Sequence, residues 1–169
     1  MKRHKCSLIA AISLDGKISD DPKHMPDWTS KEDWREFQKF LSTSDLVVSG
    51  RNTYEAAKDR MNKRNALIVT TKKKVSPFPN VRFVNPKKED VLKIIRAHQN
   101  VAILGGAGVY NLAMRKKWCT DIYLTLEPVL LGKGISLFTD DVFSRLQAKP
   151  VSQKKLNRKG TLLLHYKLI

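Results

Sequence analysis

Apolar, β-branched runs alternate along this chain with amphipathic helical patterns, and that alternation is what most limits the folds open to it. Six runs have the length and composition of strands: residues 7–14, 46–49, 66–71, 101–104, 122–129 and 162–168. Strands that alternate with helices predict an α/β fold with a mostly parallel central sheet and helices on both faces. The last third is rich in strands and turns, so it predicts antiparallel strands at the end of the sheet.

Two helical segments stand out between these strands. SKEDWREFQKFL repeats apolar residues at spacings of three and four, behind a Ser30 that can cap the first turn. PKKEDVLKIIRAH carries its apolar residues on one face, and its Pro86 predicts that the helix begins there. No repeat and no low-complexity linker interrupts the pattern, so we expect residues 1–169 to form a single domain.

Composition narrows the possible ligands. The chain has 32 Lys and Arg against 16 Asp and Glu, a formal charge of +16. The basic residues are spread along its whole length, which favours an anionic small substrate or a phosphorylated cofactor over a nucleic-acid groove. Two cysteines without a CxxC pair and four scattered histidines predict free thiols, a cytoplasmic protein and no metal site. The N-terminal apolar run is read as the first strand rather than a signal peptide, and no run is long enough to span a membrane.

Three strand ends offer groups that suit phosphate. LGGAGVY, residues 104–110, runs from a strand into a helix through glycines that allow a ligand to approach the backbone. By itself this stretch is equally well explained as a tight turn, and it departs from the GxGxxG pattern. SGRNT brings Arg51 and Thr53 to a second strand end, and VTTKKK brings two hydroxyls and three lysines to a third. Together the three ends predict one extended ligand, such as a 2′-phosphorylated dinucleotide.

Asp33 is the candidate carboxylate of the first helix. One interpretation is that it complements the helix dipole and closes a capping box with Ser30. The other is that it lies at the mouth of an apolar pocket, one turn before Phe37 on the same face, where it accepts bonds from a flat nitrogenous ring. The residue pattern leaves both interpretations open.

The motifs SLIAAISLDGKI, MPDWTSKED, SGRNTYE, LGGAGVY and IYLT, taken in order, resemble the dihydrofolate reductase family over nearly the whole chain. The resemblance implies that Asp33 binds the pterin ring, with Trp28 and Thr125 as its partners in catalysis. It also implies a set of substrate-binding residues: Ile9, Asp33, Phe37, Arg64, Leu104 and Thr125. Trp28 and the loop from Asp15 to Asp27 would close over the site, with one residue inserted at Asp27.

The same resemblance implies NADPH as cofactor. The residues expected to bind it are Ala11, Ile18, Gly50, Arg51, Asn52, Thr53, Thr70, Thr71, Lys72, Gly105, Gly106, Ala107, Gly108, Val109 and Tyr110. Arg51 would lie near the 2′-phosphate, and the bond between Gly105 and Gly106 would be the family's cis peptide. Hydride would pass to C6 of dihydrofolate while N5 gains a proton, with water as the proton source and ionised Asp33 favouring that protonation.

Part of the chain resembles a related group, the pyrimidine reductases of riboflavin synthesis, which share the fold and use NADPH. EPVLLGKGISLF, SLDGKI and SDLVVSG are similar to that group. Ala57, however, stands where those reductases carry the Asp of a Thr-x-x-x-Asp pattern, and they lack the helix carboxylate that Asp33 supplies. The favoured function is dihydrofolate reduction, by a monomer or a homodimer. The alternatives are reduction of a ribosylaminopyrimidine phosphate and, from a different class, a basic nucleic-acid-binding module.

Overall fold

Residues of the strands alternate between two apolar faces, and helices cover both faces of the sheet they build. The computed structural model describes residues 4–21, 24–139 and 144–169. The strands are β1 Lys5–Ile12, β2 Lys17–Ser19, β3 Leu46–Gly50, β4 Ala66–Val69, β5 Val81–Val84, β6 Asn100–Ile103, β7 Asp121–Leu126, β8 Ile135–Ser136, β9 Ala148–Lys155 and β10 Leu162–Leu168. The helices are α1 Lys31–Thr43, α2 Arg51–Ala56, α3 Lys58–Met61, α4 Val91–Arg96 and α5 Ala107–Arg115.

Within these residues eight strands form one sheet in the order β5-β4-β3-β6-β1-β7-β10-β9. The six strands from β5 to β7 pair in parallel. β10 is antiparallel to both β7 and β9, and β2 pairs separately with β8. The prediction of an α/β fold with a mostly parallel sheet and antiparallel C-terminal strands is therefore confirmed.

The core is divided between the two faces of the sheet. On one face Leu8 and Ile103 pack with α4 and α5, and on the other Ile9 and Val47 pack with α1, α2 and α3. Neighbouring residues such as Leu8 and Ile9 belong to opposite clusters because strand side chains alternate. The cysteines Cys6 and Cys119 are buried free thiols.

Two local predictions are wrong. The helix expected to begin at Pro86 begins at Val91, because the Asp90 carboxylate accepts the Lys93 N–H and caps it there. Residues 86–89 instead form a turn held by the Asn85 carbonyl. The second is the set of strands, since β2, β5, β8 and β9 lie outside the six expected runs. All residues of β9 are exposed and most are polar, so this edge strand has no apolar run to mark it.

The described part of the chain has no helix long and apolar enough to cross a membrane. In the same residues no group of three or more His, Cys, Asp or Glu side chains is arranged to hold a metal ion.

Candidate active site

A cavity of about 900 Å³ opens along the carboxyl ends of the parallel strands. In parallel sheets these ends lie at one edge, so loops that are distant in sequence meet there. Most residues singled out from the sequence line it: Ile9, Ala11, Ile18, Asp33, Phe37, Gly50, Arg51, Asn52, Thr53, Thr70, Thr71, Leu104, Gly106, Ala107, Gly108, Val109, Tyr110 and Thr125. The three strand ends with phosphate-binding chemistry thus share one cavity with the candidate carboxylate.

The Gly105–Gly106 peptide, between β6 and α5, is cis, as the resemblance predicts. Gly105 has a φ of +99°, and a Cβ there would lie 2.9 Å from the Tyr110 ring, so only glycine fits. The Gly105 carbonyl accepts the Gly50 N–H at 2.7 Å, and the Tyr110 hydroxyl donates to the Ile9 carbonyl at 2.6 Å. These bonds join the ends of β1, β3 and β6 under the cavity.

One end of the cavity suits an anionic nucleotide. Arg51 and Thr53 lie in the first turn of α2, and the hydroxyl-bearing Thr70 and Thr71 follow β4. The N-cap of α5 is Gly106, so no side chain occupies the amide groups of that helix end. A guanidinium, several hydroxyls and exposed amides form a donor set that fits the phosphates of NADPH.

Asp33 lies at the other end of the cavity. It takes part in one of the two hydrogen bonds of a capping box, but not in the other. The Ser30 hydroxyl accepts the Asp33 N–H at 3.1 Å and caps α1. The Ser30 N–H, which the Asp33 carboxylate would accept in a complete box, donates instead to Glu127 at 2.7 Å. The Asp33 carboxylate therefore remains in the cavity, where it accepts a hydrogen bond from Thr125.

The electrostatic setting of Asp33 is unusual for an aspartate. The pKa of its carboxyl is raised from 3.8 to about 6: burial raises it most, the Thr125 hydrogen bond lowers it, and the negative charge of Glu127 adds a smaller rise. Desolvation disfavours the charged form, so burial is the main cause. A carboxyl group that titrates close to neutral pH in a ligand cavity is characteristic of functional sites.

Sequence reasoning missed Glu127, which is only 3% exposed. A glutamate before a proline has the appearance of a loop residue. The pattern that could have identified it is the alternation of Asp121, Tyr123 and Thr125 on the buried face of β7. Glu127 lies two residues after Thr125 and therefore on the same face.

Arg60 was also missed, and its location differs from that of Arg64. Arg60 lines the cavity, with its guanidinium carbon 4.7 Å from the centre of the Trp34 ring. Arg64 donates to the Leu41 carbonyl at 3.0 Å and is not among the described residues that line the cavity. The arginine at the cavity surface is thus one turn earlier in the chain than the one expected from the resemblance.

Three other expected residues lie beside the cavity rather than in its lining. Lys72 is exposed, and its N–H donates to the Thr70 hydroxyl. Gly105 contributes through its backbone, as described above. Trp28 is half-buried, and its indole Nε1 is the one buried side-chain nitrogen or oxygen without a hydrogen-bond partner in the described chain.

A cavity with a nucleotide-binding end and an isolated carboxylate, set at the edge of an α/β sheet, has the features of a nucleotide-dependent oxidoreductase. The family model of dihydrofolate reductase matches residues 5–129. The chain belongs to the dihydrofolate reductase family, as the resemblance predicts.

The chain is similar in sequence to proteins with different names, and in fold to a solved structure. The chain is 29% identical over 150 residues to a bifunctional dihydrofolate reductase-thymidylate synthase of Paramecium tetraurelia, covering 88% of this chain and 31% of that protein. It therefore spans about a third of that relative's length. It is 28% identical to the uncharacterized protein YwjB of Bacillus subtilis (strain 168), covering 96% of this chain and 97% of that protein. A pyrimidine reductase-like protein from Corynebacterium diphtheriae has the same fold, with a TM-score of 0.77, 15% identity and coverage of 98% and 92%.

The raised pKa of Asp33 predicts that this residue destabilises the free protein at neutral pH. The folded state binds the proton more tightly than the unfolded state, so stability is gained as pH falls from about 6 towards 3.8 and lost as pH rises. Asp33→Asn should therefore raise the free energy of unfolding at pH 8 by roughly 1–3 kcal/mol. The upper figure applies if solvent does not screen the charge of Asp33. The gain should vanish near pH 4 in urea denaturation series. A variant less stable than the wild type at pH 8 would contradict this.

Proposed function

We propose that this protein is an NADPH-dependent dihydrofolate reductase, which reduces 7,8-dihydrofolate to tetrahydrofolate. The observation that carries the proposal is the carboxylate of Asp33, which is released from the helix cap and bonded to Thr125 inside the cavity that also holds the nucleotide-binding groups. Membership of the dihydrofolate reductase family supports the reaction class.

The substrate end of the cavity has the chemistry that a pterin requires. Ile9, Phe37 and Leu104 offer apolar surface to the faces of a flat ring. Asp33, when ionised, accepts the paired N–H groups of the ring's 2-amino and N3 positions, and the Thr125 hydroxyl fixes the carboxylate's orientation. The carboxylate thus selects and orients the ring to be reduced.

The nucleotide end is assigned to NADPH, which supplies the hydride when bound. Arg51 would bind the 2′-phosphate, Thr53, Thr70 and Thr71 would donate to phosphate oxygens, and the amides at the start of α5 would face the pyrophosphate. Ala11, Ile18 and Gly106 would line the pocket of the nicotinamide ring. Asp33 would hold negative charge beside the ring and favour protonation at N5 from water.

A second candidate is reduction of a ribosylaminopyrimidine phosphate. The fold shared with a pyrimidine reductase-like protein and the motif EPVLLGKGISLF favour it. Arg60 beside Trp34 at the cavity surface would suit a phosphate as well as a carboxylate. Ala57 and Asp33 favour the folate substrate instead. A nucleic-acid-binding module has less support, because Tyr54, Tyr110 and Tyr123 are buried and unable to stack on bases, which leaves Trp34 and Phe78 as the exposed aromatics of the described residues.

The assignment of Arg51 predicts a cofactor preference. Arg51→Gln removes a bidentate phosphate ligand, so the Kd for NADPH should rise about 10-fold to 100-fold. NADH lacks the 2′-phosphate and serves as the matched control, with a Kd that changes little. Titrations of protein fluorescence measure both constants. Equal losses for the two cofactors would remove Arg51 from the 2′-phosphate site.

Arg60 is predicted to bind the anionic end of the substrate. Arg60→Gln should raise KM for dihydrofolate about tenfold with little change in kcat, because the interaction is lost equally in the ground state and the transition state. Lys58→Gln, on the same short helix but outside the cavity lining, is the matched control for net charge. An equal rise in KM for both variants would mean that only the overall charge matters.

The reaction itself is tested by following NADPH absorbance with dihydrofolate, and separately with the ribosylaminopyrimidine phosphate. We expect oxidation with dihydrofolate that methotrexate inhibits competitively. Asp33→Asn should lower the hydride-transfer rate at neutral pH by on the order of 100-fold or more, with a nearly unchanged Kd for NADPH. Oxidation that occurs only with the pyrimidine phosphate would reverse the two candidates, and normal turnover by Asp33→Asn would exclude Asp33 from the mechanism.

A further inference from the structure

Glu127 is a buried carboxylate that the reaction proposed above does not use. It follows β7 directly and is 3% exposed. Its two oxygens accept hydrogen bonds from neutral donors, the Ser30 N–H at 2.7 Å and the Thr161 hydroxyl at 2.7 Å. Burying a carboxylate among neutral donors lowers the stability of the folded state, which indicates a specific role for this residue.

The contact with Ser30 determines what Asp33 can do. In a capping box the residue three positions after the cap would accept the cap's N–H, and Asp33 occupies that position. Glu127 accepts this N–H instead. The Asp33 carboxylate is therefore free to bond Thr125 and to face the cavity. Ser30 still caps the helix through its hydroxyl.

The turn between β9 and β10 holds Glu127 in place. Thr161, which is 1% exposed, donates to Glu127, and the Asn157 amide donates to the Thr161 oxygen at 2.9 Å. Asn157 also donates to Glu32, on the first turn of α1, at 3.3 Å. One turn of the antiparallel hairpin thereby positions the carboxylate that contacts the start of α1.

We propose that Glu127 is a positioning residue, which keeps the Asp33 carboxylate out of the helix cap and adds negative charge to the buried surroundings of that carboxylate. Its negative charge acts on Asp33 through the buried face shared by Thr125 and Glu127. The like charge of Glu127 raises the pKa of Asp33 in the same direction as burial, which is the larger cause. Asp33 thereby remains able to exchange a proton close to neutral pH.

Other charged groups also face this region. On α1 they are Lys31 and Glu36, and Glu36 is paired with Lys39 and Lys154. The cavity wall adds His24, Arg51 and Arg60. Glu127 is the charged group that acts on the Asp33 carboxyl most directly. Glu32 precedes Asp33 but points to Asn157, outside the cavity lining, so it offers a matched control.

The test is a carbon-13 NMR titration of the aspartate and glutamate carboxyl groups in the free protein, with Asp33→Asn used to assign the Asp33 signal. Glu127→Gln keeps an oxygen for the Ser30 N–H and removes the charge. In this variant the Asp33 midpoint should move to lower pH, because the like charge is lost while burial is kept. Glu32→Gln, the control, should leave the midpoint where it is in the wild type. An unmoved midpoint in Glu127→Gln, or equal movement in both variants, would overturn the proposal.

The wild-type protein gives an independent test should Glu127→Gln fail to fold. If the charge of Glu127 acts on Asp33 as proposed, the titration curve of the Asp33 carbon departs from that of a single independent group. An Asp33 curve that fits a single independent group would overturn the proposal. The proposal rests on the function above only for the part that the Asp33 carboxylate plays in the reaction. The titration needs no substrate, so its outcome is separate from that of the dihydrofolate assay.

Discussion

The hydrogen bond from the Gly50 N–H to the Gly105 carbonyl is the contact on which the rest of the site depends. It is 2.7 Å long and joins the ends of β3 and β6, two neighbouring parallel strands. Tyr110 packs against Gly105 and bonds to the Ile9 carbonyl, which extends the junction to β1. Three strand ends are thereby held at one level, and the loops that leave them line a single cavity.

The buried face of β7 supplies the second constraint. Tyr123, Thr125 and Glu127 lie on one side of the strand at intervals of two residues and face the helix that carries Asp33. Tyr123 packs against Phe40, with ring centres 4.5 Å apart, and docks the middle of α1. Thr125 and Glu127 instead contact its first turn. The same strand therefore fixes the helix by packing and tunes its carboxylate by charge, at a cost in stability that a functional site commonly carries.

Much of the fold follows from apolar periodicity, because strands and helices that bury one face must repeat their apolar residues at fixed spacing. The sheet order and the exposed strand β9 do not follow from it, since pairing joins distant residues and an edge strand needs no apolar run. The cis peptide was predictable only from resemblance, as two adjacent glycines alone have several explanations.

The residues of the candidate site likewise fall into those that the sequence predicted and those that only the structure revealed. Groups in sequence motifs, such as Arg51 and Thr70, were found because their strand ends could be recognised. Arg60 and Glu127 were missed because their roles come from tertiary contacts with Trp34 and Ser30. The choice between the two roles of Asp33 also required the structure, since the competing acceptor for the Ser30 N–H lies 97 residues further along the chain.

The central claim is that one cavity holds NADPH and a folate ring together, with Asp33 directed at the ring. A crystal structure of the protein with NADPH and methotrexate tests it most directly. We predict the Asp33 carboxylate within hydrogen-bond distance of the ligand's amino-substituted ring and Arg51 beside the 2′-phosphate. A complex in which Asp33 touches no ring atom, or in which NADPH lies away from Arg51 and the start of α5, would contradict the account.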